Sequence, residues 1–91
     1  MKNKIAIESL SMDLLRISLG YHRGSLSMAK RFTSEALMRC SEVKTSELRP
    51  NFVRILNKIP TVLSGSDYSK ISEDALMYST LCKNYAKKYL S

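Results

Sequence analysis

The sequence contains no tryptophan, one histidine, two cysteines, two prolines and three glycines. Glycine and proline are the main turn-forming residues, so few turns and long elements are expected. A structural zinc site needs four Cys or His ligands, usually in close pairs, which this chain does not offer. We therefore expect no metal and no cofactor. We expect Cys40 and Cys82 to be half-buried free thiols in a reducing compartment, although the sequence alone also permits a disulfide.

Long apolar runs are absent as well. No run approaches the roughly 20 residues that a helix needs to cross a bilayer. Lys2 and Lys4 resemble the basic start of a signal peptide, but Glu8 and Asp13 interrupt the apolar segment that would have to follow. The sequence therefore predicts a cytoplasmic protein without a membrane span.

Acidic residues are few: 15 Lys and Arg stand against 8 Asp and Glu, which gives a net charge of +7. A basic surface attracts nucleic acids, acidic proteins and anionic membranes. Residues 16–58 hold nine of the cations and only three glutamates, enough to neutralise several phosphates. The candidate nucleic-acid-binding residues in this stretch are Arg23, Lys30, Arg31, Arg39, Arg54 and Lys58.

The apolar residues recur at helical spacing along the whole chain, and no segment alternates as a strand does. A first helix is predicted over about residues 3–19, with an inner stripe of Ile7, Leu10, Leu14 and Ile17 that Leu15 and Leu19 widen. A second helix is predicted over about residues 26–43, capped by Ser25. Gly20 could end the first helix in the left-handed conformation. The alternative is one unbroken helix of about 40 residues, because the apolar rhythm continues across Gly20 and Gly24 and packing could offset about 1 kcal/mol per glycine.

The second half predicts two further helices. A residue at 45–46 can cap the third helix, with Pro50 near its start and Pro60 ending or kinking it. Residues 61–70 are predicted as a loop. Ser72 is the expected N-cap of the last helix, whose apolar positions are Ala75, Tyr78, Cys82, Tyr85 and Tyr89.

The fold class predicted is therefore all-α: a single domain over residues 1–91, built as a small antiparallel bundle of three to four helices. If the glycines do not break the first helix, a long N-terminal helix would carry two shorter helices folded back on it. A rod of that length could not be covered by two short helices, and a dimer would follow.

Catalytic motifs are lacking. The chain has no Gly-x-Ser-x-Gly elbow and no glycine loop that could hold a phosphate, and its single histidine is the only ordinary general base near neutral pH. We therefore expect no enzymatic activity and no catalytic residues.

One short motif points the other way. The segment Arg16-Ile-Ser-Leu-Gly-Tyr-His22 resembles the Arg–His motif of the HEPN ribonucleases, small helical bundles that dimerise to bring two such motifs together. By that resemblance Arg16 would stabilise phosphate charge and His22 would activate the ribose hydroxyl. The resemblance covers seven residues, so a HEPN-like ribonuclease is the third of our hypotheses.

The tyrosines give the leading hypothesis. A bundle this small is not expected to bury all of its tyrosines, and half-exposed tyrosines suit contacts between proteins. The sequence therefore predicts a small non-enzymatic interaction module that self-associates, as a dimer, and has an unknown protein partner. A nucleic-acid-binding protein is the alternative. The predicted interface residues are Tyr21, Tyr78, Tyr85 and Tyr89.

Overall fold

The structure, a computed structural model, describes residues 2–90. Within these residues it contains four α-helices, one short 3₁₀ turn and no strand, which confirms the predicted all-α bundle. The helices are α1 (Asn3–His22), α2 (Leu26–Glu42), α3 (Pro50–Leu63) and α4 (Tyr68–Tyr89), with the 3₁₀ turn at Thr45–Glu47.

Helix α1 is the centre of the bundle. It packs along both α4 and α2, whereas α3 packs against α4 and touches α2 less. The predicted inner stripe of α1 is confirmed for Ile7, Leu10, Leu14 and Ile17, which are all fully buried. Leu15 and Leu19, which were predicted to widen it, are only partly buried. A hydrophobic core of residues from all four helices therefore surrounds one side of α1.

The glycine pair does break the chain into two helices, and the alternative of one long helix is wrong. The prediction that Gly20 ends the helix is also wrong, since α1 continues to His22. Gly24 takes the left-handed conformation, with φ of 74°. The N–H of Ser25 bonds to the Gly20 carbonyl (2.8 Å) and the N–H of Gly24 to the Tyr21 carbonyl (3.2 Å). These two bonds form a Schellman motif, in which glycine is favoured at the left-handed position.

Gly20 has a different role, which is to let two helices approach closely. A Cβ atom at this position would lie 2.9 Å from the backbone nitrogen of Ala29. Only glycine therefore fits here between α1 and the start of α2. As predicted, Ser25 caps α2, and its hydroxyl accepts a hydrogen bond from the Met28 N–H (3.4 Å).

The start of α3 corrects the predicted cap at 45–46. Residues 45–47 form only a 3₁₀ turn, and α3 begins at Pro50. Arg49 is extended, with ψ of 139°, because a residue before proline disfavours the helical conformation. A helix started at 45–46 therefore cannot pass Arg49, while Pro50 suits the first helical position, where no N–H is needed.

The boundary between α3 and α4 also differs from the prediction. Pro60 lies inside α3, which continues for three more residues to Leu63. Asp67, and not Ser72, is the N-cap of α4: its carboxylate accepts a hydrogen bond from the Lys70 N–H (3.2 Å). The connecting loop is therefore limited to residues 64–67.

Candidate interaction surface

Two of the four predicted interface tyrosines lie in the core. Tyr78 is 8% exposed and Tyr85 is 9% exposed. The Tyr85 ring stacks on Phe52 of α3, with centroids 3.8 Å apart, and its hydroxyl accepts a hydrogen bond from the Arg49 N–H (3.0 Å). The premise that these two side chains are half-exposed is therefore wrong: α3 covers Tyr85, and Tyr78 belongs to the hydrophobic core.

The other two tyrosines lie at opposite ends of α4. Tyr21 is half-buried and stacks on Tyr68, with ring centroids 4.8 Å apart, beside the N-terminus of α4. Tyr89 is 41% exposed at the C-terminal end of the same helix. The four tyrosines therefore do not form one continuous surface.

Three of the six cations that were predicted to bind nucleic acid contact other side chains of the protein. Arg39 lies between Asp13 (3.9 Å) and Glu42 (3.5 Å). The guanidinium of Arg31 lies over Phe32, and Arg54 donates a hydrogen bond to Asn51 on its own helix. The remaining three, which are Arg23, Lys30 and Lys58, are exposed. The positive charge of residues 16–58 is thus distributed over several helices and partly neutralised.

The buried carboxylate of Asp13 was not anticipated from the sequence. It lies between α1 and α2, with Arg16 Nη1 at 3.7 Å and Arg39 Nε at 3.9 Å. Its Oδ2 accepts no hydrogen bond from the described residues. Burial, together with the nearby charge of Glu35, raises the pKa of Asp13 above its usual value despite the two arginines.

The side chains of Arg16 and His22 do not meet within one chain. Two helical residues six positions apart are separated by about 120° around the axis and about 9 Å along it. Arg16 is directed towards Asp13 and the ring of Phe32 (5.2 Å). His22 lines a different cleft, with Tyr68 and Glu73.

The two thiols lie on the neighbours of α1, with Cys40 on α2 and Cys82 on α4. Both are free; Cys82 is fully buried and Cys40 is half-buried. Burial raises the pKa of Cys40 to about 11 and that of Cys82 to about 12. Neither thiol is therefore activated as a nucleophile at neutral pH. Within residues 2–90, no group of three or more His, Cys, Asp or Glu side chains is placed to bind a metal ion.

The most distinctive surface is one that the sequence reading missed. Opposite its buried stripe, α1 carries a second stripe with the spacing 3-4-3-4, and residues at that spacing share a helix face. Its apolar members include Met12, which is 47% exposed, and Ile5, which is similarly exposed. The stripe consists of Ile5, Glu8, Met12, Leu15 and Leu19.

Helix α4 continues this surface with a stripe of the same spacing. Its apolar member, Leu76, is half-exposed. A cleft between the two helices is lined by Glu8, Met12 and Leu15 of α1 and by Lys83 and Lys87 of α4, so both stripes lie on one side of the bundle. We call the two stripes together the outer face; the α4 stripe consists of Glu73, Leu76, Thr80, Lys83 and Lys87.

None of the helices within residues 2–90 combines the length and apolarity that crossing a bilayer requires. Comparisons with known proteins add no family to this description: no protein-family model matches the chain, and no curated protein and no solved structure is significantly similar to it.

Proposed function

We propose that this protein is a small non-enzymatic helical interaction module that self-associates through the outer face. The observation that carries the proposal is the second apolar stripe of α1. Helices that carry apolar residues on two opposite faces are usually covered by other elements on both of those faces. Here α2, α4 and the core cover α1, while Ile5 and Met12 remain open to solvent. These exposures favour α1 over the buried tyrosines as the site of the proposed interface.

The spacing of the stripe favours a helix as the occupant. Apolar side chains recur every seven residues, at Ile5, Met12 and Leu19, and Leu15 lies between the last two. Such a repeat is the pattern by which one helix packs its side chains into the gaps of another. The same pattern on a second copy of α1 would complete the packing.

Charge complementarity favours a second copy of this chain over an unrelated helix. The α4 stripe is acidic at its N-terminal end, at Glu73, and basic at its C-terminal end, at Lys83 and Lys87. Ser11 on α1 lies opposite Ser79 on α4, so the middles of the two stripes are level. A two-fold axis through this level would place Glu73 of each copy near the lysines of the other, in a closed dimer.

The association is expected to be weak and concentration-dependent. Burying a half-exposed Met, Ile or Leu side chain stabilises a complex by roughly 1 kcal/mol, and association has to offset at least about 4 kcal/mol of lost freedom. Three such side chains per copy, Ile5, Met12 and Leu76, together with the less exposed Leu15 and Leu19, leave a modest surplus. The net charge of +7 on each copy opposes association at low salt.

The test is sedimentation equilibrium over a wide range of concentration, with wild type and two matched variants. We expect wild type to form dimers and Met12→Glu to be monomeric, because the substitution places a charge in the centre of the apolar stripe. Met38→Glu is the control: Met38 is also an exposed helical methionine, at 49% exposure, and lies on α2, outside the outer face. Wild type that is monomeric at every concentration, or equal loss of dimer in both variants, would refute the proposal.

A further inference from the structure

A second surface lies between α3 and α4. The cleft at the basic end of these helices is flanked by Arg49 and Lys88, and its other polar residues are the amides Asn51 and Asn84. The stacked rings of Phe52 and Tyr85 contribute its aromatic floor. None of the described residues that line it is acidic. The cleft therefore combines cations, amides and aromatic rings.

The two cations of this cleft keep their charge for a ligand, although both also lie over the ring of Tyr89. Among the described residues, neither Arg49 nor Lys88 forms an ion pair, in contrast to Arg16, Arg39 and Lys70. An anionic ligand placed here would therefore meet positive charge that no carboxylate in the described chain neutralises.

Tyr89 adds an accessible ring to these charges. The Arg49 guanidinium lies 4.2 Å from its centroid and the Lys88 ammonium 5.3 Å from it. The ring is 41% exposed, although its neighbour Tyr85 is buried. A base that stacks on the exposed part of this ring would take the place of one of these cations, which would then be free to neutralise an adjoining phosphate.

We propose that the α3–α4 cleft binds single-stranded nucleic acid, with Tyr89 stacking on a base, Arg49 and Lys88 contacting phosphates, and Asn51 and Asn84 facing base edges. A single strand is favoured over a duplex because stacking on Tyr89 requires an unpaired base face. Amide side chains are suited to base edges since they both donate and accept hydrogen bonds. This site is separate from the outer face, so it does not depend on self-association.

The test is fluorescence anisotropy with a labelled single-stranded RNA of about 15 nucleotides, compared with the duplex of the same length. We expect Tyr89→Leu to weaken binding of the single strand about tenfold, which corresponds to the loss of one stacked base. The matched control is Tyr68→Leu: Tyr68 is 44% exposed at the opposite end of α4, beside Asp67, and its loss should leave the affinity unchanged. Equal effects of the two substitutions would overturn the proposal.

The role of the cations has its own readout. Lys88→Gln should reduce the slope of log affinity against log salt by roughly 0.7, the value for one phosphate contact with a single strand. Lys70→Gln, at the other end of the helix, should leave the slope unchanged. Absence of RNA binding at low salt, or equally tight binding of the duplex, would refute a single-strand site.

Two further measurements distinguish this site from the alternatives. Met12→Glu should bind RNA as wild type does, so that loss of dimer and loss of RNA binding are separable. An acidic peptide, a labelled oligoglutamate of matched charge, should bind more weakly than RNA and should not respond to Tyr89→Leu. If it binds as tightly as the RNA, the cleft recognises negative charge alone and the proposal is wrong.

Discussion

Helix α1 contacts its two principal neighbours by different chemistry. Towards α4 the contact is made by neutral hydroxyls: Ser11 donates to the Ser79 carbonyl (2.8 Å), and Ser79 donates back to the Ser11 carbonyl (2.7 Å). One heptad away, Ser72 donates to the Ser18 carbonyl (3.0 Å). Small side chains with satisfied hydroxyls allow two helices to approach without leaving a buried polar group unpaired.

Towards α2 the contact depends on a missing side chain and on charge. Gly20 meets the backbone of Ala29, and the Asp13 carboxylate lies beside Arg16 and Arg39. The α4 contact is therefore fully satisfied at every pH, whereas the α2 contact combines a steric requirement with an ionisable group. One helix can therefore bind one neighbour by a contact that does not change with pH and another by a contact that does.

The largest expected effect lies in the α2 contact, at Gly20. A methyl group there would lie 2.9 Å from a backbone nitrogen, so α1 and α2 must move apart. We expect Gly20→Ala to lower the free energy of unfolding by about 2 kcal/mol, although alanine is the better helix former by about 1 kcal/mol. Urea denaturation followed by circular dichroism measures the change.

The control for that substitution is Gly65→Ala. A Cβ atom at Gly65 would come no closer than 3.7 Å to another atom, so little change is expected. An increase in stability of Gly20→Ala would mean that the close approach of α1 and α2 is not required.

A smaller effect is expected in the α4 contact. Ser79→Ala removes the hydrogen bond to the Ser11 carbonyl and the contact between the two hydroxyls, which should cost about 1 kcal/mol, while the Ser11 hydroxyl keeps its bond to the backbone carbonyl of residue 79. Replacing both Ser11 and Ser79 by alanine should cost less than the sum of the two single changes, because either change alone already removes the contact between the two hydroxyls (3.3 Å). A double-mutant cycle measured by urea denaturation gives the coupling; strictly additive effects would contradict it.

The smallest expected effect is a dependence of stability on pH, which the α1–α2 contact should show and the α1–α4 contact should not. The pKa of Asp13 is raised in the folded protein. As the pH rises from about 4, Asp13 therefore loses its proton in the unfolded chain before it does so in the folded protein. Wild type should therefore lose stability over that interval relative to Asp13→Asn, which does not titrate there. Melting temperatures at pH 3 and pH 7 test the sign.

Ser79→Ala serves as the comparison for this pH series, since its difference from wild type should be the same at both values. If Asp13→Asn instead loses stability relative to wild type on going from pH 3 to pH 7, the two arginines outweigh the burial of the carboxylate.

Local signals in the sequence predicted much of the fold. The inner stripe of α1 and the Ser25 cap follow from spacing and residue type within a few positions, and both are confirmed. Ser72 was misread because its hydroxyl bonds to Ser18 of α1, a partner far away in the chain. Such long-range contacts depend on how the helices pack, which local rules do not contain.

In the candidate surfaces, too, some features follow from local sequence and others depend on how the helices pack. The spacing of Tyr78 and Tyr85 suits a buried stripe and an interface stripe equally, and for Tyr85 the position of α3 determines that the ring is covered. The second stripe of α1, by contrast, is visible in the sequence as Ile5, Met12 and Leu19. It was missed because the buried stripe of the same helix accounts for most of the apolar residues and hides a second pattern of equal period.

The pairing of α1 with α4 also has a consequence for biosynthesis. The central helix is synthesised before α4, so Ser11 and Ser18 find their partners only 68 and 54 residues later in the chain. Until α4 has been synthesised, α1 can pack only on α2 and exposes the apolar residues that α4 later covers. Folding around such distant contacts is slower than local helix formation, and nascent chains of this protein are accordingly expected to rely on chaperone protection until α4 is released.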